Sequence, residues 1–160
     1  MPGYKGHLAG GCVAYVLMLG LLYGLSSDIL VKNSFSSLVA LRWFICVLAG
    51  SLFPDIDVKS KGQKYFYWVI LGFFLLLIMQ RKFKLLAVSS IVSVFPMLVR
   101  HRGIFHKTWF VILAPLGLWA LIGAYAPQYA NAFFLDVLFF IVGALSHLWL
   151  DLGLKRMLRI

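Results

Sequence analysis

Long apolar stretches separated by short polar breaks dominate this chain. Six can be marked, roughly at 8–25, 38–53, 65–80, 85–99, 108–126 and 132–153. A helix needs about 20 mostly apolar residues to cross the hydrocarbon core of a bilayer. The third and fourth stretches are short, and the Arg81-Lys82-Phe83-Lys84 break between them is too basic for hydrocarbon. They are expected to form a tight helical hairpin. Pro54, Pro96, Pro115 and Pro127 mark turns or kinks. Gly143, Ala144 and Ser146 form a small-residue face on the last helix, suited to close packing. The pattern predicts an all-α integral membrane bundle of about six transmembrane helices. The first stretch follows Lys5 as a signal peptide would. It outlasts the ~7–15 residues of a signal h-region, however, and is read as a retained helix.

Composition agrees with the pattern. Of 160 residues, 62% are hydrophobic and 12% charged, against about half and a quarter in soluble domains. The length suits a single membrane-embedded domain over residues 1–160. A net charge of +10 would suggest nucleic acid in a soluble protein; here it is assigned to loops facing an anionic leaflet, with membrane lipids as the partner and no nucleic acid. Cys12 and Cys46 lie inside apolar stretches and form no CxxC pair.

Charge also orients the bundle. With six helices, the N-terminus, the 54–64 loop, the 100–107 loop and the C-terminus share one side. That side holds Lys5, Lys59, Lys61, Lys64, Arg100, Arg102, Lys107, Lys155, Arg156 and Arg159. The other holds Lys32, Arg81, Lys82 and Lys84. The positive excess places the first side in the cytoplasm of a bacterial-type inner membrane. Arg42 and Asp136 remain inside apolar stretches, each a turn in from the opposite end. They can pair or each snorkel to the interface, and in both cases their role is structural.

The chemistry lies in four clusters: Lys5-Gly6-His7, Phe53-Pro54-Asp55-Ile56-Asp57, His101 to His106, and His147 to Asp151. They hold all four histidines and three of the five acids; glutamate is absent. All four fall at the cytoplasmic side. His147 and Asp151, four apart on a helix, share a face with room for a cation between them, though a capping Asp and a hydrogen-bonded His explain the spacing as well. His101 and His106 would diverge on one helix; Gly103 lets the chain turn so that His106 can open the fifth helix. Their plain reading is a basic interfacial loop. Asp55 and Asp57 would also diverge on a helix but can bracket a cation in an extended or turn segment, or simply end a helix. His7 alone is an ordinary interfacial histidine.

Together, His7, Asp55, Asp57, His101, His106, His147 and Asp151 make a nitrogen and oxygen donor set suited to Zn²⁺, Mn²⁺ or Fe²⁺. Seven donors exceed the four of one tetrahedral zinc, so one ion with outer partners or two ions would fit. The absence of cysteine favours a catalytic over a structural site.

These clusters resemble the YdjM-like family of inner-membrane proteins, described as metal-dependent hydrolases. The family pattern has a Gly-His near the N-terminus, a Leu/Phe-Pro-Asp-Ile-Asp block, a His-Arg-Gly-x-x-His block and a Ser-His-x-x-x-Asp block in the last helix. Here they are Gly6-His7, Leu52 to Asp57, His101 to His106 and Ser146 to Asp151. The chain departs from the pattern at Val58, Phe105 and Lys107, where His, Thr and Ser are frequent in the family. It also ends soon after Asp151.

The leading expectation is a metal-dependent hydrolase acting at the cytoplasmic membrane face on a lipid or lipid-linked ester or phosphoester. Its cofactor would be one or two divalent ions, zinc first and Mn²⁺ or Fe²⁺ next. A metal-activated water attacks the ester, Asp57 takes a proton, and Arg102, with Arg100 a second choice, stabilises negative charge. Ser146 reads as packing rather than as a nucleophile. Two alternatives stand beside this. One is a non-catalytic scaffold with a structural metal site; a transporter ranks lower, because ionisable groups gather at one face. The other is a metal-free lipid phosphatase, since His147-x-x-x-Asp151 resembles the last motif of the phosphatidic acid phosphatases. No Ser-Gly-His or Lys-x6-Arg-Pro accompanies it.

Overall fold

A computed structural model of the chain describes residues 3–25, 36–57, 61–98 and 103–157. The side chain of Asp57, and the whole of Arg100, His101 and Arg102, lie outside the described residues. Regular structure among the described residues is entirely helical. The long helices are α1 (Tyr4–Leu25), α2 (Ser37–Leu52), α3 (Lys61–Met79), α4 (Phe83–Leu98), α5 (Thr108–Tyr125) and α6 (Pro127–Leu152). Short 3₁₀ helices cover Phe53–Asp57 and Ile104–His106, and a last turn covers Leu154–Met157. Tyr4–Gly24, Ser37–Ile56, Thr108–Tyr125 and Pro127–Leu152 are long and apolar enough to cross a membrane. The apolar part of α3, Gln63–Met79, is shorter, and α4 has only 16 residues. The expected all-α membrane bundle is therefore what the chain forms.

The two short helices make the expected hairpin, and its turn has a definite cause. The Lys82 N–H donates to Leu77 O at 2.9 Å and the Arg81 N–H to Ile78 O at 2.9 Å. This is a Schellman ending, which requires a left-handed residue between the two helices. Arg81 takes that place with φ 55°.

The α2–α6 seam is the spine of the fold. Lipid tails are as apolar as leucine, so helices in a bilayer associate through close packing and hydrogen bonds rather than through the hydrophobic effect. Gly50 and Gly143 supply the close approach. A Cβ on Gly143 would lie 2.1 Å from Val47 O, and one on Gly50 would lie 2.0 Å from Phe140 O. Each glycine thus rests on the other helix's backbone, and α2 and α6 run parallel. Toward the opposite end, Trp43 stacks on Phe139 at 5.0 Å and 14°, joining a core with Leu22, Val47 and Leu135. Arg42 Nε then donates to Asp136 Oδ1 at 2.8 Å, while its Nη2 donates to Ala132 O at 3.2 Å. Of the two readings for these charges, the structure realises the pair.

Polar contacts help to tie the side helices to the seam. Tyr15 Oη donates to Ala40 O (2.8 Å), joining α1 to α2. Trp119 Nε1 donates to Ala130 O (2.9 Å), joining α5 to α6. Thr108 Oγ1 donates to Met157 O (2.7 Å), holding the chain's last turn over the start of α5.

One expectation is corrected. The last helix begins at Pro127 rather than near 132. Proline fits the first helical turn, where its missing N–H is no loss. Asp136 therefore lies more than two turns inside α6, not one. Of the extended and turn forms expected around Asp55 and Asp57, the chain takes a turn, a 3₁₀ helix, because Pro54 has no N–H to continue the α-helical ladder of α2.

Candidate metal centre

The end of α2 shows how the centre is built. Without a Pro54 N–H, Gly50 O takes the Phe53 N–H instead, tightening the chain into the 3₁₀ turn. Ser51 O is one of the last carbonyls of α2, which normally lack an intrahelical partner. His147 Nδ1 sits 2.8 Å from it, on the far side of the glycine contact. A carbonyl only accepts, so Nδ1 carries the proton. In the neutral ring Nε2 then presents a lone pair. This is the usual arrangement of a metal-binding histidine, whose outer nitrogen is pinned by a backbone carbonyl or carboxylate.

His147 Nε2 is fully buried and has no hydrogen-bond partner among the described residues. It points at oxygens: Asp55 Oδ1 at 3.5 Å and Asp151 Oδ2 at 3.7 Å. His106 Nε2 lies 3.7 Å from the same Asp55 oxygen and 3.9 Å from the same Asp151 oxygen. His7 Nε2 faces the other Asp151 oxygen at 3.4 Å, and its ring stacks on His147 at 3.7 Å between centroids. The first turn of α1, the 3₁₀ turn after α2, the 3₁₀ turn before α5 and the last turns of α6 thus meet at one end of the bundle.

These separations decide what the cluster suits. They exceed the ~2.7–3.2 Å of an N–H···O hydrogen bond. Four donors held at ~2.0 Å from one ion in a tetrahedron stand about 3.3 Å apart along each edge. One donor atom from each of Asp55, His106, His147 and Asp151 lies within 4.8 Å of the others. The observed edges are slightly open versions of the tetrahedral ones. With His147 Nδ1 protonated, its buried Nε2 lone pair faces carboxylate oxygens of Asp55 and Asp151, and a cation among them would remove that repulsion. The donor set therefore fits a divalent ion, with His7 placed to orient Asp151 from outside.

Exposure is uneven across the group. The side chains of His147, His7, His106 and Asp151 are 0%, 2%, 5% and 7% exposed, and Asp55 is 24% exposed. Approach from outside is by way of Asp55.

Of the seven sequence-named donors, five are brought together: His7, Asp55, His106, His147 and Asp151. Asp57 closes the 3₁₀ turn that carries Asp55, but its side chain lies outside the described residues, as do His101 and the candidate anion-binding Arg102 and Arg100. His106 closes its own 3₁₀ turn rather than opening α5, which starts at Thr108. Ser146 Oγ donates to Gly143 O at 2.7 Å, as a packing serine does. Sequence reasoning missed Ser51, which acts through a backbone carbonyl and so has no side-chain signature. Its one signal was its place just before the helix-ending Pro54.

The family model described as YdjM inner membrane protein matches residues 1–156. No curated protein and no solved structure matches the chain.

Proposed function

Because the chain belongs to the YdjM inner membrane protein family, and is thereby a multi-pass inner-membrane protein, we propose that it is a membrane-bound metal-dependent hydrolase of lipid or lipid-linked esters or phosphoesters. The observation that carries this reading is the buried group of Asp55, His106, His147 and Asp151, with donor atoms within 4.8 Å of one another and no cysteine among them. The positive-charge excess around it supports a cytoplasmic position.

Asp55, His106, His147 and Asp151 would hold a divalent ion, which would supply Lewis acidity to a substrate oxygen and to water. The chain's own groups do the rest. Ser51 O fixes the tautomer and tilt of His147. His7 steadies Asp151 from its outer side. Asp55, the most exposed of the group, marks where water and ester enter. Hydrolysis consumes one water: its oxygen bonds to the acyl carbon or phosphorus, and its proton passes to the departing alkoxide. Asp57 is assigned that transfer, being two residues from Asp55 in the chain, and Arg102 the developing negative charge.

A second reading is favoured by one observation. Four protein donors complete a tetrahedral shell, and structural sites are closed in this way. The same cluster would then clasp four helix ends in a non-catalytic scaffold.

The deciding test is metal analysis of the purified protein, followed by a lipid-ester and phosphoester screen with and without chelator. Stoichiometric metal and chelator-sensitive turnover are expected. Stoichiometric metal with no exchangeable water and no turnover would favour the scaffold. Protein purified without metal, and unable to take it up, would end both readings.

A further inference from the structure

A cavity of about 450 Å³ lies between α2, α5 and α6, with Cys46, Phe53, Ala114, Pro115, Leu118 and Phe140 in its lining. It belongs to three helices that are long and apolar enough to cross a membrane. Ala114 and Leu118 on its α5 side are exposed, so it opens sideways, toward lipid tails rather than toward water.

Its two ends differ. At one end stands Asp136, 8% exposed, with Oδ1 taken by Arg42 and with Oδ2 buried and lacking a hydrogen-bond partner among the described residues. At the other end stands Phe53, the residue before Pro54 and Asp55. Its ring packs edge-on against Phe105 at 5.5 Å and Phe140 at 5.2 Å. Phe105 in turn precedes His106. The cavity's Phe53 end is thus two residues along the chain from Asp55, and its ring contacts the residue before His106. Measured along α2, the cavity runs from the level of Asp136, opposite Arg42, to Phe53, about 16 Å at ~1.5 Å per residue.

We infer that this cavity receives one hydrocarbon chain of a lipid whose anionic headgroup lies at the Asp55 side of the metal centre. The inference rests on the hydrolase reading and names its substrate class as an acyl or isoprenyl lipid carrying negative charge. Three features support it. The cavity is apolar and opens where lipid tails are. It ends beside the residue through which the centre is approached. Lys5, Lys107 and Lys155, close in sequence to His7, His106 and Asp151, are exposed at that end of the bundle and complement an anionic headgroup. The buried carboxylate of Asp136 limits the depth, since a methylene chain does not replace a hydrogen bond there. Phe53 and Phe105 are positioning residues that set the angle between chain and headgroup.

The test uses the full-length protein in nanodiscs of phosphatidylethanolamine and phosphatidylglycerol. The probe is a phosphatidylglycerol with a photoactivatable diazirine at the end of one acyl chain. Cross-linked peptides are mapped by mass spectrometry, with bound metal measured in parallel. Labelling is expected at Cys46, Ala114 and Leu118 well above that at Val69 and Leu76, which are exposed on α3. Ala114→Trp, whose indole fills the cavity from its α5 side, should cut cavity labelling to the level seen on α3, with α3 labelling and metal content unchanged. If Ala114→Trp fails to retain metal, Leu118→Trp serves in its place.

Equal labelling of cavity and α3, indifference to both tryptophans, or cavity cross-links to a second copy of the chain would overturn the inference. Turnover is scored separately. Cavity labelling without chelator-sensitive hydrolysis sinks the hydrolase reading and leaves the lipid site. Hydrolysis without cavity labelling does the reverse.

Discussion

The α2–α6 seam carries buried polar groups at both ends, and the two ends solve the same problem differently. At one end Arg42 and Asp136 complete each other. Donor meets acceptor at 2.8 Å, and the arginine, 46% exposed, keeps part of its head outside. At the other end His147 and Asp151 of α6 meet Asp55, His106 and His7 at 3.4–3.9 Å, longer than an ordinary hydrogen bond. At the first end a donor of the chain itself, Arg42, takes one Asp136 oxygen, and the other is buried without a hydrogen-bond partner among the described residues. The second turns the lone pair of His147 Nε2 toward two carboxylates. A buried charge that finds its partner within the chain is structural, whereas a buried excess of lone pairs calls for a cation from outside. Position on the same helix pair does not distinguish them; the balance of donors and acceptors does.

The comparison breaks most sharply at His147. His147→Ala removes a central donor and leaves Ser51 O without its partner. Bound metal should fall to background by mass-spectrometric elemental analysis, and chelator-sensitive hydrolysis should vanish. Wild-type metal content in this variant would remove His147 from the centre. Arg42→Leu, at the other end, should leave metal content untouched.

Gly143→Ala acts between the two ends. Its Cβ would meet Val47 O at 2.1 Å, so α2 and α6 must separate. Overpacking of this kind typically costs about 1–3 kcal/mol, and loss of an outer-shell contact such as His147 to Ser51 weakens metal affinity by about 10–100-fold. Metal titration and unfolding in mixed micelles read the two effects. Unchanged metal affinity would mean that the helix approach does not set the geometry of His147.

Arg42→Leu strands the Asp136 carboxylate and should destabilise the fold by about 1–3 kcal/mol. The double variant Arg42→Leu with Asp136→Leu should recover most of that loss, as paired removal of a buried ion pair often does. Additive losses in this double-mutant cycle would show that the two charges act independently.

The smallest effect is expected away from the seam, in the α3–α4 turn. Arg81 holds φ 55°, a region that glycine enters without a Cβ clash. Arg81→Gly should stabilise by up to about 1 kcal/mol, with metal content unchanged. Destabilisation would point to a role for the Arg81 side chain itself.

Much of the fold was legible because spans announce themselves by length and apolarity. The helix-ending Pro54, the basic Arg81-Lys82 turn and the small residues around Gly143 each have a local physical cause, and each occurs where the pattern placed it. The start of α6 was misread because Pro127 looks like a break when it is in fact a first-turn residue. Around Asp55 the sequence left extended and turn forms open, because a 3₁₀ turn has no periodicity of its own in five residues. In the site, His147 and Asp151 were readable as neighbours from their spacing of four. No spacing could show that His106 and His147 point at the same Asp55 oxygen, or that Ser51 supplies the carbonyl behind His147.

The order of residues alone determined that this chain lives in a membrane, how its helices divide, and which side chains had no apolar reason to be where they are. Hydropathy and helical period are local properties, and they survive without knowledge of neighbours. Which lone pairs meet, at what separation, and whether a proton donor stands among them was decided only by the tertiary structure. Those depend on backbone approach across Gly50 and Gly143, on the partnerless carbonyl left by Pro54, and on turns that carry residues far apart in sequence to one end of the bundle.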